Sequence, residues 1–315
     1  MKSIPDGSVD LILCDLPYGT TDCKWDSVIP FERLWKEYNR IIKSNGVIAL
    51  FAAQPFTTKL IHSNFQNFRY CWYWKKNNKT GFVFAKYQPM RCIEDICIFS
   101  PDKGNEGEHI ELRKYFFDEL SKSGLKRSDV DKLLNNSMSS HYFTYGKQFA
   151  LPSKISYKML QSTGYFKRPY EDIKSEFKAQ KKCSTPTYNP QGLKEINKVV
   201  NRKCSKVSIY DIKGKTALQK HTNYPNHLLE FANEAVNHKN RFHPTQKPVK
   251  LLEYLIKTYT NEGDIVLDNC MGSGSTGVAA VNTKRKFIGI EKDNKYFDIA
   301  KQRIDNAVFS LRKTE

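Results

Sequence analysis

No run of apolar residues in this 315-residue chain is long enough to span a bilayer, which takes about 20 consecutive residues as a helix. No leader with a basic start, an apolar middle and a small-residue cleavage site opens it, so no membrane partner and no secreted destination are expected. Eight cysteines are present, but none forms a Cys-x-x-Cys pair. That excludes the common zinc and disulfide-exchange frameworks. Several of these cysteines sit inside apolar runs, where a free thiol behaves as a small hydrophobe. A reducing, cytoplasmic setting without bound metal is the expectation. Ser275-Thr276 is not preceded by Gly-Lys, so the phosphate-cradling loop of P-loop nucleotide hydrolases is absent as well. There is no internal repeat. Acidic residues are scarce, with 33 Asp and Glu against 51 Lys and Arg and a net charge of +18.

That charge implies an acidic partner, nucleic acid first. It is concentrated: residues 141–220 hold 17 Lys and Arg against 5 Asp and Glu. Lys181, Lys182, Arg202 and Lys203 are the candidate phosphate contacts in this stretch.

Near the start, Val9-Asp10-Leu11-Ile12-Leu13-Cys14 reads as a buried strand, and Asp15-Leu16-Pro17-Tyr18-Gly19 follows it. The strand delivers a carboxylate, a stiff turn and an aromatic ring to its own C-terminal end, where open α/β sheets bind ligands. This set suits an exocyclic amine. A carboxylate and a backbone carbonyl that accept its two hydrogens return its lone pair from the ring. Pro17 fixes φ near −65° and restricts Leu16, so the carbonyls stay aimed. Tyr18 offers a flat face for a base. The plain alternative is a strand end with an ordinary turn.

Helical spacing over Phe31 to Lys43 with a stop at Gly46, a strand at Val47–Phe51, a short helix from Phe56 to Asn64 and strands at Phe68–Trp74 and Ile93–Phe99 predict an α/β domain. An aromatic, Lys-rich loop runs from Lys75 to Arg91. Between 101 and 241 apolar density falls. Two helices, Leu112–Leu120 and Ser128–Leu134, join at Gly124, with Ser128 as N-cap. They read as ordinary surface helices in preference to a helix-turn-helix pair. Lys178 to Lys220 shows little periodicity. It reads as a DNA-facing loop region or a solvated insertion.

From 242 the α/β pattern returns. His243-Pro244-Thr245-Gln246-Lys247-Pro248 opens a helix, Asp264–Asp268 is a strand, and Gly272-Ser273-Gly274-Ser275-Thr276-Gly277 turns into the next helix. The following strand ends at Glu291, 23 residues after Asp268. Strand, Gly-rich turn, helix, strand and acid is the arrangement that binds an adenosine ribose, here by two hydroxyls.

Taken in that order, Asp15-Leu16-Pro17-Tyr18, the 243–248 segment and Leu267-Asp268-Asn269-Cys270-Met271-Gly272-Ser273-Gly274 resemble the β class of amino-methylating DNA methyltransferases, in particular the phage and mobile-element members. The resemblance covers about residues 4–100 and 242–305. It implies a class I methyltransferase fold, Rossmann-like and mixed in strand direction, with permuted motif order. Residues 1–100 would form the catalytic half, 101–241 a basic target-recognition insertion and 242–315 the donor-binding half. It further implies that S-adenosyl-L-methionine is the cofactor and that adenine N6 of double-stranded DNA is methylated by direct transfer to a flipped base. Asp15 and the Leu16 carbonyl would bind the amine, and Tyr18 would stack on the base. Gly272 and Gly274 would line the donor, with Asp268, Cys270, Ser273, Ser275 and Thr276 around them. Glu291 would hold its ribose, and His243, Thr245 and Lys247 its methionine end.

A cognate restriction endonuclease is a further implied partner; monomer and homodimer stay open. No Pro-Cys dipeptide occurs, so cytosine C5 methylation is not expected. Cytosine-N4 methylation is the nearest alternative. A DNA-binding relic is another, because members of the class carry a strand upstream of the segment that begins here at Ser3.

Overall fold

The computed structural model describes residues 1–19, 27–101, 110–144, 148–201, 216–232 and 246–314. Elements follow in chain order as β1 (Val9–Asp15), α1 (Phe31–Ile41), β2 (Ile42–Ala52), α2 (Phe56–Ser63), β3 (Phe68–Thr80), β4 (Arg91–Phe99), α3 (Ile110–Ser123), α4 (Arg127–Leu134), α5 (Ser139–Tyr142), α6 (Lys154–Gln161) and α7 (Tyr170–Ser184), then β5 (Lys194–Asn201), β6 (Thr216–Thr222), β7 (Leu228–Glu230), α8 (Val249–Tyr259), β8 (Ile265–Asp268), α9 (Ser275–Asn282), β9 (Lys286–Gly289) and α10 (Asn294–Thr314). The chain divides into two compact units, residues 1–100 with 187–315, and residues 101–186.

The first unit is built on a seven-stranded mixed sheet, ordered β7-β3-β4-β2-β1-β8-β9. Only β4 opposes its neighbours β2 and β3; the other pairings are parallel. Alternation along β1 feeds two separate cores. Ile12 and Cys14 pack with Leu34, Tyr38, Phe56 and Leu60 of α1 and α2. Leu11 and Leu13 pack with Leu251, Leu255 and Ile256 of α8 and Ala279 and Ala280 of α9. A strand covered on both faces must be apolar at every step, which is why Leu11-Ile12-Leu13-Cys14 has no polar residue. Asp10 is the exception: it accepts from the Lys43 ammonium at 2.7 Å and from the Ile265 N–H at 2.9 Å.

Helix α1 ends at Ile41 rather than near Gly46, and β2 begins at once. Ile42 pairs with Val9, while Leu11 already pairs with Val47, so a bulge takes up the intervening residues. Gly46 serves that bulge: a Cβ there would lie 2.7 Å from the Ile42 side chain and 3.0 Å from the Asp10 carbonyl. Strands β3 and β4 also run further than their apolar cores, forming a long hairpin whose stem reaches Thr80 and Arg91.

The second unit has its own aromatic core. Phe116 of α3 meets Phe143, Phe149, Tyr157 and Phe166 at ring separations of 6.0–6.2 Å. Arg113 is buried, with its guanidinium 5.3 Å from the centre of the Phe149 ring. Helices α3 and α4 therefore contribute Leu112, Phe116, Val130 and Leu134 to an interior and are not surface helices. Ser128 is not the N-cap. Lys126 is, and its N–H donates to Asp129 at 3.0 Å.

This unit ends at Pro186, short of the expected boundary at 241. Strand β7 joins the main sheet beside β3, and β5 pairs with β6. The β5–β6 pair went unseen in the sequence because a bulge at Asn197, with φ of 45°, breaks its two-residue period. Among the described residues no helix is long and apolar enough to cross a membrane.

Candidate active site

From β1 the chain runs through α1 to β2 on one side; from β8 it runs through α9 to β9 on the other. The C-terminal ends of β1 and β8 thus flank the point where the sheet's winding reverses, the place where α/β sheets hold ligands. Asp15 closes β1 and Asp268 closes β8.

Asp15 is held on both oxygens. Lys247 Nζ donates to Oδ2 at 2.7 Å, and the Tyr18 hydroxyl donates to Oδ1 at 2.8 Å. The same ammonium lies 2.7 Å from Glu94 Oε1, and Lys76 Nζ lies 2.6 Å from Glu94 Oε2. Tyr18 and Glu94 also approach, at 3.2 Å. The result is a chain of alternating charge, Asp15–Lys247–Glu94–Lys76, with Lys247 seated 5.0 Å from the Phe51 ring centre.

Burial pushes the Asp15 carboxyl above its usual range, with Lys247 opposing and Glu94 adding to the rise. Burial would raise Glu94 too, but Lys247 and Lys76 outweigh it and bring that carboxyl down to about 2. Burial works against the Lys247 charge, yet Asp15 and Glu94 hold the ammonium above its ordinary value.

The Tyr18 ring stacks against Phe56, with centroids 5.1 Å apart and planes at 27°. One face is thereby covered, and the hydroxyl, given no part by sequence reasoning, orients Asp15. Lys247, expected at the donor's methionine end, bridges two carboxylates on the β1 side. Its neighbour Gln246 faces the other way: Ser273 Oγ donates to Gln246 Oε1 at 3.4 Å. This short segment therefore ties the two half-sites together. His243 and Thr245 lie outside the described residues.

The Gly-rich turn carries the full Gly-x-Gly-x-x-Gly spacing at Gly272, Gly274 and Gly277. Gly272 and Gly274 adopt φ of 49° and 79°, where a side chain is strained. A Cβ on Gly277 would fall 2.4 Å from Ile304 and 2.8 Å from Phe287, so this glycine sets the close packing of α9 on α10 and β9.

Asp268 is buried beneath the turn. It accepts from the Cys270 N–H at 3.0 Å and from the Thr276 hydroxyl at 2.6 Å, and burial raises its carboxyl to about 6. Asp268 and Thr276 thus shape the turn from beneath. Arg303 of α10 donates to Ser273 Oγ at 3.0 Å and Ser275 Oγ at 3.3 Å, a role the sequence did not signal. Cys270 packs against the α1-side core. Glu291 stands beyond the end of β9 and accepts three backbone N–H groups, from Gly272 at 2.8 Å, Lys292 at 2.8 Å and Asp293 at 2.9 Å. Of the roughly four lone-pair sites of a carboxylate, one remains.

Of the expected DNA contacts, Arg202 and Lys203 lie outside the described residues, as do the side chains of Lys181 and Lys182 at the end of α7.

Comparison with known proteins bears on the chain in three ways. Over 63 residues it is 51% identical to the type II methyltransferase M2.DpnII of Streptococcus pneumoniae, 20% of this chain and 24% of that protein. Over 83 residues it is 42% identical to the type II methyltransferase M.HpaI of Haemophilus parainfluenzae, 26% of each. The matched stretches thus span about a quarter of each curated relative. Among solved structures it is similar to the complex of M1.HpyAVI with SAM (TM-score 0.46, 20% identity, 95% of this chain and 89% of that one). It is also similar to the cytosine-N4-specific PvuII DNA methyltransferase (TM-score 0.47, 13% identity, 100% and 89%). The family model described as DNA methylase matches residues 9–302, from the first residue of β1 into α10, and the chain belongs to that N6/N4 DNA methylase family.

Proposed function

We propose that this chain methylates adenine N6 in double-stranded DNA, with S-adenosylmethionine as donor. The observation that carries the reading is Asp15: a carboxylate at the sheet's switch point, clamped by Lys247 and Tyr18, beside a glycine turn suited to a nucleoside.

The donor set fits this cofactor. Gly272 and Gly274 bring bare backbone to the crevice, and Glu291 is pre-aimed with one acceptor site left for a ribose hydroxyl. S-adenosylmethionine, when bound, supplies an electrophilic methyl group on sulfur. The chain's own residues do the rest. Each Asp15 oxygen has a lone pair left after its present bond, so Asp15 accepts one amine hydrogen and the Leu16 carbonyl the other. This returns the nitrogen lone pair from the purine ring. Positive charge then develops on the nitrogen, and the Asp15 carboxylate stabilises it in a site that excludes much of the water. Asp15 is also the first acceptor for the proton that the nitrogen sheds. Lys247 keeps Asp15 ionised against the push of burial and of Glu94. Tyr18, backed by Phe56, presents its remaining face to the flipped base.

Adenine is preferred to cytosine because the residue at 15 is Asp, the acid found in adenine-methylating members of the class that the sequence resembles, where Ser is commoner in cytosine-N4 members. Both relatives described above bear the name type II methyltransferase, which favours a restriction endonuclease as the partner system. The test is incubation with labelled donor and plasmid DNA, followed by digestion to nucleosides. Label in N6-methyladenine is the expected result. Label in N4-methylcytosine transfers the same site to the other amine, and an unlabelled digest overturns the reading.

A further inference from the structure

Residues 75–93 hold five cations, Lys75, Lys76, Lys79, Lys86 and Arg91, and no acid. They form the upper stem and tip of the β3–β4 hairpin. At the tip the apolar residues point outward: Phe82 is 79% exposed, Val83 83% and Tyr87 87%. An apolar cluster this exposed on an otherwise well-packed unit marks a contact surface.

The tip is nevertheless ordered. Gly81, with φ of 92°, starts a tight turn in which the N–H groups of Phe84, Ala85 and Tyr87 donate to the carbonyls of Gly81, Phe82 and Phe84 at 2.9–3.0 Å. The rings are therefore displayed on a stiff support, which lowers the ordering cost of binding.

Its position identifies the partner. Strand β3 opposes β4, β4 opposes β2, and β2 runs parallel to β1. The hairpin thus rises from the same edge of the sheet at which Asp15 ends β1. Its stem is tied into the site: Trp74 pairs with Glu94, the carboxylate that Lys76 and Lys247 share. From there to Thr80 is six residues, about 20 Å at ~3.3 Å per residue. Exposed aromatic side chains flanked in sequence by cations and by no acid between residues 75 and 93 are complementary to stacked bases between phosphates.

We propose that this tip is a wedge that enters the base stack of duplex DNA next to the nucleotide presented to Asp15, with Phe82 and Tyr87 as the inserted side chains and Lys79, Lys86 and Arg91 on the flanking phosphates. The proposal rests on the reading of the chain as a DNA methyltransferase. Apolar wedges of this kind unstack a base step and kink the duplex. That lowers the cost of extruding the neighbouring base.

The test uses the full chain, relaxed circular plasmid and topoisomerase I, and needs no knowledge of the recognition sequence. Insertion unwinds DNA, so wild-type protein changes the plasmid's linking number in proportion to occupancy. The double variant Phe82→Ser, Tyr87→Ser removes two exposed rings, and its thermal melt is expected to match wild type. It should bind DNA about tenfold or more weakly, the loss expected for removing a stacked ring. At matched occupancy it should leave the linking number unchanged. Phe82→Trp, Tyr87→Trp keeps the rings and should keep the unwinding.

Equal unwinding by wild type and the Ser variant, or none by wild type, overturns the wedge. So does a fall in solution mass for the Ser variant with unwinding intact, which makes the tip a contact between copies of the chain. Labelled-donor assays on the same samples separate the two claims. Unwinding without methyl transfer sinks the enzymatic reading and leaves the wedge. Methyl transfer without unwinding does the reverse.

Discussion

At Asp15 two pressures meet, burial that favours the neutral acid and an ammonium 2.7 Å away that favours the ion. Asp15→Asn keeps the shape but loses the charge and adds a donor facing the amine. Turnover should fall by 10²-fold or more, the scale of removing one preorganised transition-state hydrogen bond, while donor affinity by calorimetry stays the same. Tyr18→Phe keeps the ring on Phe56 and deletes the bond to Asp15. A bond to a charged group contributes about 1.5–3 kcal/mol, so turnover should drop about tenfold or more; full activity would mean that only the ring matters.

The acid limb of the pH–rate profile follows from sign. Asp15 must be ionised, and its raised pKa means that activity fails on acidification before an ordinary aspartate would protonate. Glu94→Gln removes a charge that raises it and leaves Lys247 to Asp15 alone, so the acid limb should move to lower pH. Glu94 itself is depressed from 4.5 to about 2 on folding. Its contribution to stability is fully present above about pH 4.5 and is lost as pH falls through about 2. Urea melts of wild type against Glu94→Gln across that window measure it. Asp15 and Tyr18 were legible in the sequence because they are contiguous and end a strand. Glu94 and Lys247 were not legible as a pair, since 153 residues separate them and only the folded chain brings them together.

Elements read correctly where their periodicity was undisturbed. The double-sided strands β1 and β8 carry continuous apolar runs, Leu11–Cys14 and Ile265–Leu267, and α8 repeats its apolar positions at helical spacing. Failures fall on irregularities. The bulge after Ile42 hid the start of β2, and the bulge at Asn197 hid β5. The hairpin stem beyond Trp74 is polar because it projects past the core, so apolar patterning could not find it. Gly277 was read only as part of the glycine-rich turn, because its packing reason is tertiary, the approach of Ile304 and Phe287.

Gly274 gives the sharpest test at this scale. It combines a φ of 79° with a would-be Cβ approach of 2.9 Å to the Ala300 Cα, a backbone atom that cannot swing aside. The left-handed conformation alone costs a residue with a Cβ roughly 1–2 kcal/mol. Gly274→Ala should therefore lose more than about 2 kcal/mol in urea unfolding and should weaken donor binding in parallel. A neutral result would show that α10 can move away.

For the molecule as a whole, a shift in composition marked a second unit but not where it ends. Low apolar density over 101–241 concealed an interior made largely of rings, because Tyr and Phe are spread thinly over four helices and the loops between them and meet only on folding. The concentration of cations over 141–220 remains a prediction about DNA. With Lys181 and Lys182 both replaced by Ala, the slope of log binding constant against log salt should shrink by ~0.9 for each phosphate no longer neutralised. Filter binding over a salt series reads this, and an unaltered slope would place these lysines away from the duplex.

The second unit leaves the sheet after β4 and the chain returns at Thr187, whose N–H bonds the Asn45 carbonyl at 3.3 Å, followed by Asn189 bonding the Thr258 carbonyl at 2.7 Å. Among the described residues, no strand of the main sheet comes from the segment between the two joints. Genetic recombination at these two joints would exchange the whole inserted unit while leaving Asp15, Glu94, Lys247 and the glycine turn in their original reading frame and geometry. On the further proposal that the inserted unit reads the DNA, as the resemblance implies for residues 101–241, such a lineage would inherit its chemistry from one parent and its target from another.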